Sequence, residues 1–200
     1  TERVSRAKLV PGSRRLILAL AMCMAVTALA VDTALPAFPD IRESLGLSAD
    51  AVSVTRLITY YLLGNSLGLL PAGLMADRFG RKPVIWGGLA LYVAGAVGTI
   101  LAPSLTVMCI ARFVWGLGSA GPRVAATAMV RDAYSGEEMA KQMSFIMAIF
   151  ILVPTFAPLL ASGILWLGTW ELVFGFCAAA ALFMTFAVGR LPETLAVEER

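Results

Sequence analysis

Six long apolar runs separated by short polar links make up most of the chain. They cover residues 16–36, 51–75, 83–102, 104–129, 143–167 and 170–189. Crossing the hydrocarbon core of a bilayer takes about 20 residues at about 1.5 Å rise each, so every run predicts a membrane-spanning helix. The pattern predicts an all-α membrane protein. A cytoplasmic segment (1–15) precedes a six-helix domain (16–189), and a second cytoplasmic segment (190–200) follows it. The links are tight, and Pro103 alone marks the turn between the third and fourth spans. The first run imitates a signal peptide, with Arg14-Arg15 ahead of it and Ala28-Leu29-Ala30 as a small-residue site. It continues past that site and five spans follow, so it is read as a retained helix.

Composition supports a lipid-facing surface. Hydrophobic residues make up 59% of the 200 positions and charged residues 14%, with a mean hydropathy of +0.82. Soluble domains average about 25% charged residues. Histidine is absent, which removes imidazole acid–base chemistry, His–metal sites and Ser–His or Cys–His pairs. Cys23, Cys109 and Cys177 sit singly inside apolar runs and read as packing residues. No cofactor, metal set or nucleophile–base pair is visible, so an enzyme is not expected. Thr1 in place of an initiator Met predicts a clipped N-terminus.

Charge distribution sets orientation. Arg3, Arg6, Lys8, Arg14, Arg15, Arg78, Arg81, Lys82, Arg131, Lys141, Arg190 and Arg200 fall on one side of the predicted membrane. The opposite links hold Arg42, with Arg56 just inside the second span. The positive-inside rule then places both termini in the cytoplasm, and Trp166 and Trp170 at the outer interface.

A charge at mid-membrane costs roughly 2.5–3.5 kcal/mol on insertion scales, so Asp32, Arg112 and Arg123 each need a reason. At 100° per residue Asp32 shares a stripe with Ala21, Ala25 and Ala28. Arg112, Trp115, Gly116, Ser119, Arg123 and Thr127 share one face of the fourth span, and Tyr61, Gly64, Asn65 and Gly68 one face of the second. These faces should turn inward. Counting rise puts Asp32 roughly 6 Å and Arg112 roughly 12 Å below the outer surface, within reach of each other directly or through water. Two readings of this pair stand: a polar clamp that sets helix packing, or a titrating carboxylate whose proton is exchanged for substrate. Tyr61, Asn65, Trp115 and Arg123 are the substrate-lining candidates, with core packing or interhelical hydrogen bonding as the plainer role for the first three. The Gly64–Gly68 spacing supports close helix contact.

The most specific string is Gly73-Leu74-Met75-Ala76-Asp77-Arg78-Phe79-Gly80-Arg81-Lys82, between the second and third spans. Here Gly73 permits close backbone approach and Gly80 a sharp turn, Asp77 meets a helix N-terminus, and Arg78, Arg81 and Lys82 anchor the loop on the cytoplasmic face.

That string resembles the signature loop of the major facilitator superfamily, G-x-L-x-D-R-x-G-R-K, with Met75 at the Leu position. Residues 32–39 (DTALPAFP), 112–118 (RFVWGLG), 130–132 (VRD) and 191–194 (LPET) resemble the Bcr/CflA group of drug–proton antiporters within it. The resemblance implies one six-helix half of a twelve-helix major facilitator fold, rocking against a second half that would come from the same chain or another. It also implies a proton-coupling role for Asp32 and Arg112, and a conformational latch at Gly73, Asp77, Arg78, Gly80, Arg81 and Lys82. Pro154 and Pro158 correspond to the hinge of the fifth span. Three positions depart from the group: Trp115 where Gln is usual, Ala157-Pro158 before Ala161-Ser162 in place of a glycine-rich motif, and Glu171 where a basic residue is usual.

The expected function is secondary active transport, as proton-coupled efflux of drugs or small hydrophobic or cationic compounds across a bacterial inner membrane. The expected partners are substrate, protons, lipid and the second six-helix half, with no nucleic acid. A metabolite or sugar porter of the same superfamily is the first alternative, and Arg123 leaves room there for an anion. A membrane scaffold subunit without transport is the second.

Overall fold

The computed structural model describes residues 14–48 and 52–189. The basic residues at positions 3, 6, 8, 190 and 200 and the 191–194 motif lie outside them. The described residues form α1 (Arg14–Asp32), α2 (Ala34–Ser44), a single 3₁₀ turn (Val52–Thr55), α3 (Arg56–Phe79), α4 (Arg81–Ile100), α5 (Leu105–Ala133), α6 (Gly136–Leu165) and α7 (Trp170–Gly189). Five helices, α3 to α7, are each long and apolar enough to cross a membrane, and α1 with α2 makes a sixth, bent by 41°.

The first span thus differs from its expected form. It breaks at Thr33, then stays helical to Ser44 instead of ending at Pro36. Proline has no N–H and its ring crowds the carbonyl four residues back, which for Pro36 is that of Asp32. Thr33 adds to the break by turning its hydroxyl onto the Leu29 carbonyl at 2.6 Å. With α2 continuing beyond it, Asp32 lies about 18 Å of helix rise from Ser44, well inside the span and not near its outer end. Other helices outrun their apolar cores. α3 continues to Phe79, α5 to Ala133, and α6 starts at Gly136, seven residues before the expected 143. Helical hydrogen bonding needs no lipid, so a hydropathy reading finds the membrane-embedded part and misses the polar turns at the ends. α6 runs unbroken through Pro154 and Pro158.

Glycine sets how the central helices meet. A Cβ on Gly64 would lie 2.1 Å from the Phe113 carbonyl oxygen, and one on Gly116 would lie 2.0 Å from the Tyr61 carbonyl oxygen. On the other side of α5, a Cβ on Gly95 would meet Trp115 at 2.5 Å and one on Gly118 would meet the Tyr92 amide nitrogen at 2.3 Å. α3 and α4 therefore press backbone against α5. Lipid tails are as apolar as the side chains, so this dispersion contact replaces the hydrophobic effect as the cohesive force. Gly73 behaves differently: its nearest neighbour would be Val124 Cγ1 at 3.9 Å, so no close approach requires it. All three cysteines are buried.

Gly116→Val is expected to destabilise the bundle by at least about 3 kcal/mol, because a carbonyl in a neighbouring helix cannot swing aside as a side chain can. Gly73→Ala should stay within about 1 kcal/mol of the parent, on the stabilising side. Thermal melts of the two variants in detergent check the contrast.

Candidate functional site

Helix α1 supplies one wall of a 230 Å³ pocket through Thr27, Ala28, Val31 and Asp32. Tyr61, Leu62 and Asn65 of α3 form the second wall, Arg123 of α5 the third, and Phe150 and Pro154 of α6 the fourth. Most of this lining is apolar. Asp32 is half-buried and makes no ion pair among the described residues. The Arg123 guanidinium lies over the Phe150 ring, 5.5 Å from its centroid. Asn65 Nδ2 donates to Ser119 Oγ at 2.7 Å, and that hydroxyl donates to the Gly116 carbonyl at 2.7 Å. Four of the singled-out residues, Asp32, Tyr61, Asn65 and Arg123, therefore come together with Pro154.

Two others stand behind the pocket. Trp115 is fully buried and does not line it. Its indole meets Tyr61, Tyr92 and Phe174 edge-on, with centroids 6.4, 5.2 and 5.6 Å away, and forms the centre of the aromatic core. Arg112 is 1% exposed and packs against both Trp115 and Phe174, 4.6 and 4.3 Å from their centroids. Asp32 and Arg112, within reach by the count of helix rise, make no direct ion pair. Arg112 Nη1 donates to the Ala30 carbonyl at 2.7 Å, two residues before Asp32. The helical-wheel reading put Arg112, Trp115 and Arg123 on one face, but that face is wide. Its N-terminal half turns into the core, and of its C-terminal half Arg123 reaches the pocket.

Side-chain donors also hold α1 lower down. Tyr61 Oη donates to the Thr27 carbonyl at 2.8 Å and Tyr92 Oη to the Val26 carbonyl at 2.7 Å. Together with Arg112, these staple α1 by its backbone from three different helices. Each donor is at lipid depth, where an unmet polar group costs several kcal/mol, so these bonds favour one register of α1. Sequence reading missed Tyr92, because a lone tyrosine in an apolar run carries no periodic signal. It missed Phe150 for the same reason.

At the predicted cytoplasmic end, Gly80 separates α3 from α4 with φ = +104°, a conformation that favours glycine. The turn sets the buried Arg81 between two carboxylates. Its Nη1 donates to Asp77 Oδ1 at 2.5 Å and its Nε to Asp132 Oδ2 at 3.1 Å. Asp132, at the end of α5, is thus a member of the loop constellation that sequence spacing did not identify. Lys82 Nζ donates to the Gly189 carbonyl at 3.3 Å and lies over Trp86, tying α4 to the end of α7. Arg78 lies over its neighbour Phe79. Pro158, the second hinge candidate, accepts a hydrogen bond from Ser162 at 2.9 Å and stays outside the pocket.

Comparison with known proteins agrees with this architecture. Residues 20–199 match the family described as Major Facilitator Superfamily. A chloramphenicol resistance protein of Pseudomonas aeruginosa is 33% identical over 172 residues, covering 84% of this chain and 40% of that protein. A bicyclomycin resistance protein homolog of Haemophilus influenzae is 32% identical over 190 residues, covering 92% of this chain and 46% of that protein. The chain spans about half the length of the curated relatives it matches, or somewhat less. The crystal structure of the human organic anion transporter MFSD10 superposes with a TM-score of 0.74 at 23% identity, over 95% of this chain and 50% of that one, a likeness of fold. Carrying the family match over nearly all of its length, on a bundle of apolar spanning helices, the chain belongs to the major facilitator superfamily of membrane transporters.

Proposed function

We propose that this chain works as one half of a proton-driven exporter of small hydrophobic or cationic compounds, with both termini in the cytoplasm of a bacterial cell. The observation that carries the reading is Asp32, a carboxylate without an ion-pair partner among the described residues, set in the wall of a mostly apolar pocket beside the break in the first span. A carboxylate in that setting attracts a cationic substrate when ionised and releases it when protonated. Facing outward, Asp32 takes a proton and loses its hold on substrate. Facing inward, a bound cation favours the ionised form, and the proton leaves to the cytoplasm. Arg112 contributes through the backbone: by holding the Ala30 carbonyl it sets where Asp32 sits. The pocket, at 230 Å³, falls below the roughly 300–1,000 Å³ of drug-sized sites, as suits a cavity completed by a second bundle. The names of the chloramphenicol and bicyclomycin relatives support drug efflux as the activity.

A second reading, a porter of anionic metabolites, draws on Arg123 in the same wall. Efflux assays with matched cationic, anionic and neutral compounds separate the two. The Asp77–Arg81–Asp132 cluster serves in either case as a conformational latch, holding the ends of α3, α4 and α5 together in one state of the cycle.

In proteoliposomes carrying the full-length protein, Asp32→Asn is expected to reduce efflux driven by a pH gradient to the leak of protein-free vesicles. Intact pH-driven efflux in that variant refutes proton coupling at Asp32. Asp132→Asn should cost about 1–3 kcal/mol, since it weakens one of two carboxylate contacts to a buried guanidinium. Thermal melts measure the loss, and faster hydrogen exchange over residues 77–82 locates it.

A further inference from the structure

We propose that the pocket selects hydrophobic zwitterions, taking a cationic group at Asp32 and an anionic group at Arg123. The inference rests on the export reading above and narrows its substrate class. Both residues line the same 230 Å³ space from different helices, and neither makes an ion pair with the other or with any described residue. Two unneutralised charges at lipid depth are costly, and each leaves recognition capacity unused.

The two arginines of α5 differ in how their capacity is spent. Arg112 is sealed in the aromatic core, with Nη1 committed to the Ala30 carbonyl and its partnerless Nε and Nη2 buried out of the pocket's reach. Arg123 is only half-buried. Its guanidinium carbon lies 5.5 Å from the Phe150 ring centroid, and none of its side-chain N–H groups has a hydrogen-bond partner among the described residues. Its donors are therefore available, and their fork matches a carboxylate or a phosphate.

Local chain direction supports the pairing. In a helix the Cα–Cβ bond tilts toward the N-terminus, and α1 and α5 cross the bundle in opposite senses. Asp32 and Arg123 therefore lean toward the same depth from opposite ends. A simple monocation in this pocket meets attraction from Asp32 and repulsion from Arg123, and a simple monoanion meets the reverse. Only a ligand carrying both charges gains from both walls, while Phe150 and the aliphatic lining take its apolar body. Protonating Asp32 then leaves the pocket with an uncompensated positive charge, which repels the cationic end and loosens the ligand.

The test uses one aromatic scaffold prepared in four forms: with a tertiary amine, with a carboxylate, with both, and with two amines. Each is assayed for pH-driven transport by the full-length protein in proteoliposomes. The parent protein is expected to move the zwitterion with the highest kcat/KM of the four. Arg123→Gln should lower the zwitterion-to-monoamine ratio at least tenfold, and Arg123→Lys should restore part of it. Arg123→Glu should shift preference toward the diamine. Monodisperse elution in detergent shows that each variant is folded. If the monoamine is moved by the proton gradient but the ratio is the same in the parent, Arg123→Gln and Arg123→Glu, the zwitterion assignment is overturned and the export reading survives. If no compound responds to the gradient, both fall.

Discussion

A guanidinium buried in the middle of a membrane bundle is costly, and the compensation Arg112 finds, through Nη1 and two rings while Nε and Nη2 stay without hydrogen-bond partners, organises this fold. Trp115 and Phe174, set at right angles to each other, lie against adjacent sides of it, and its Nη1 reaches the backbone of the first span at Ala30. The aromatic rings supply cation–π attraction in a medium where water is excluded. The carbonyl it meets lies just before the break that Thr33 and Pro36 impose. Arginine, ring cluster and bend therefore form one unit, and changing any of them moves the others.

From that unit the pocket follows. The break turns α2 away from α1 by 41°, and Asp32 lies at the bend. Tyr61 and Tyr92 fix the turns below by donating to the Thr27 and Val26 carbonyls. Close approach of α3 and α4 to α5 makes these bonds possible, because Gly64, Gly95, Gly116 and Gly118 let the backbones touch. α6 turns Ile151, Leu152, Phe156, Leu159 and Leu160 outward and adds Phe150 and Pro154 to the pocket.

A second anchor lies at the far end of the same helices. Arg81 connects Asp77 and Asp132, and Lys82 reaches the last residue of α7. Gly80 makes this possible, since only its positive φ brings Arg81 back under α5. The loop thus links four helix ends through charge, while the membrane interior links them through glycine contact and aromatic packing.

Much of this was legible in the letters. Apolar run length and the scarcity of charge point to six spans, since over about 20 continuous apolar residues a helix pairs every backbone group within its own segment. The cost of ionisable groups in hydrocarbon singles out Asp32, Arg112 and Arg123, and the order of glycine, aspartate and arginine in residues 73–82 marks the loop. Which guanidinium serves the pocket was decided only by the tertiary structure. Residues on one stripe of a helix share a direction but differ in depth and in what packs opposite them. At Arg112 the opposing surface is Trp115, Phe174 and the α1 backbone; at Arg123 it is open space beside Phe150. The same holds for Asp132, which lies 51 residues from Arg81 and meets it only because α4 and α5 fold back along each other.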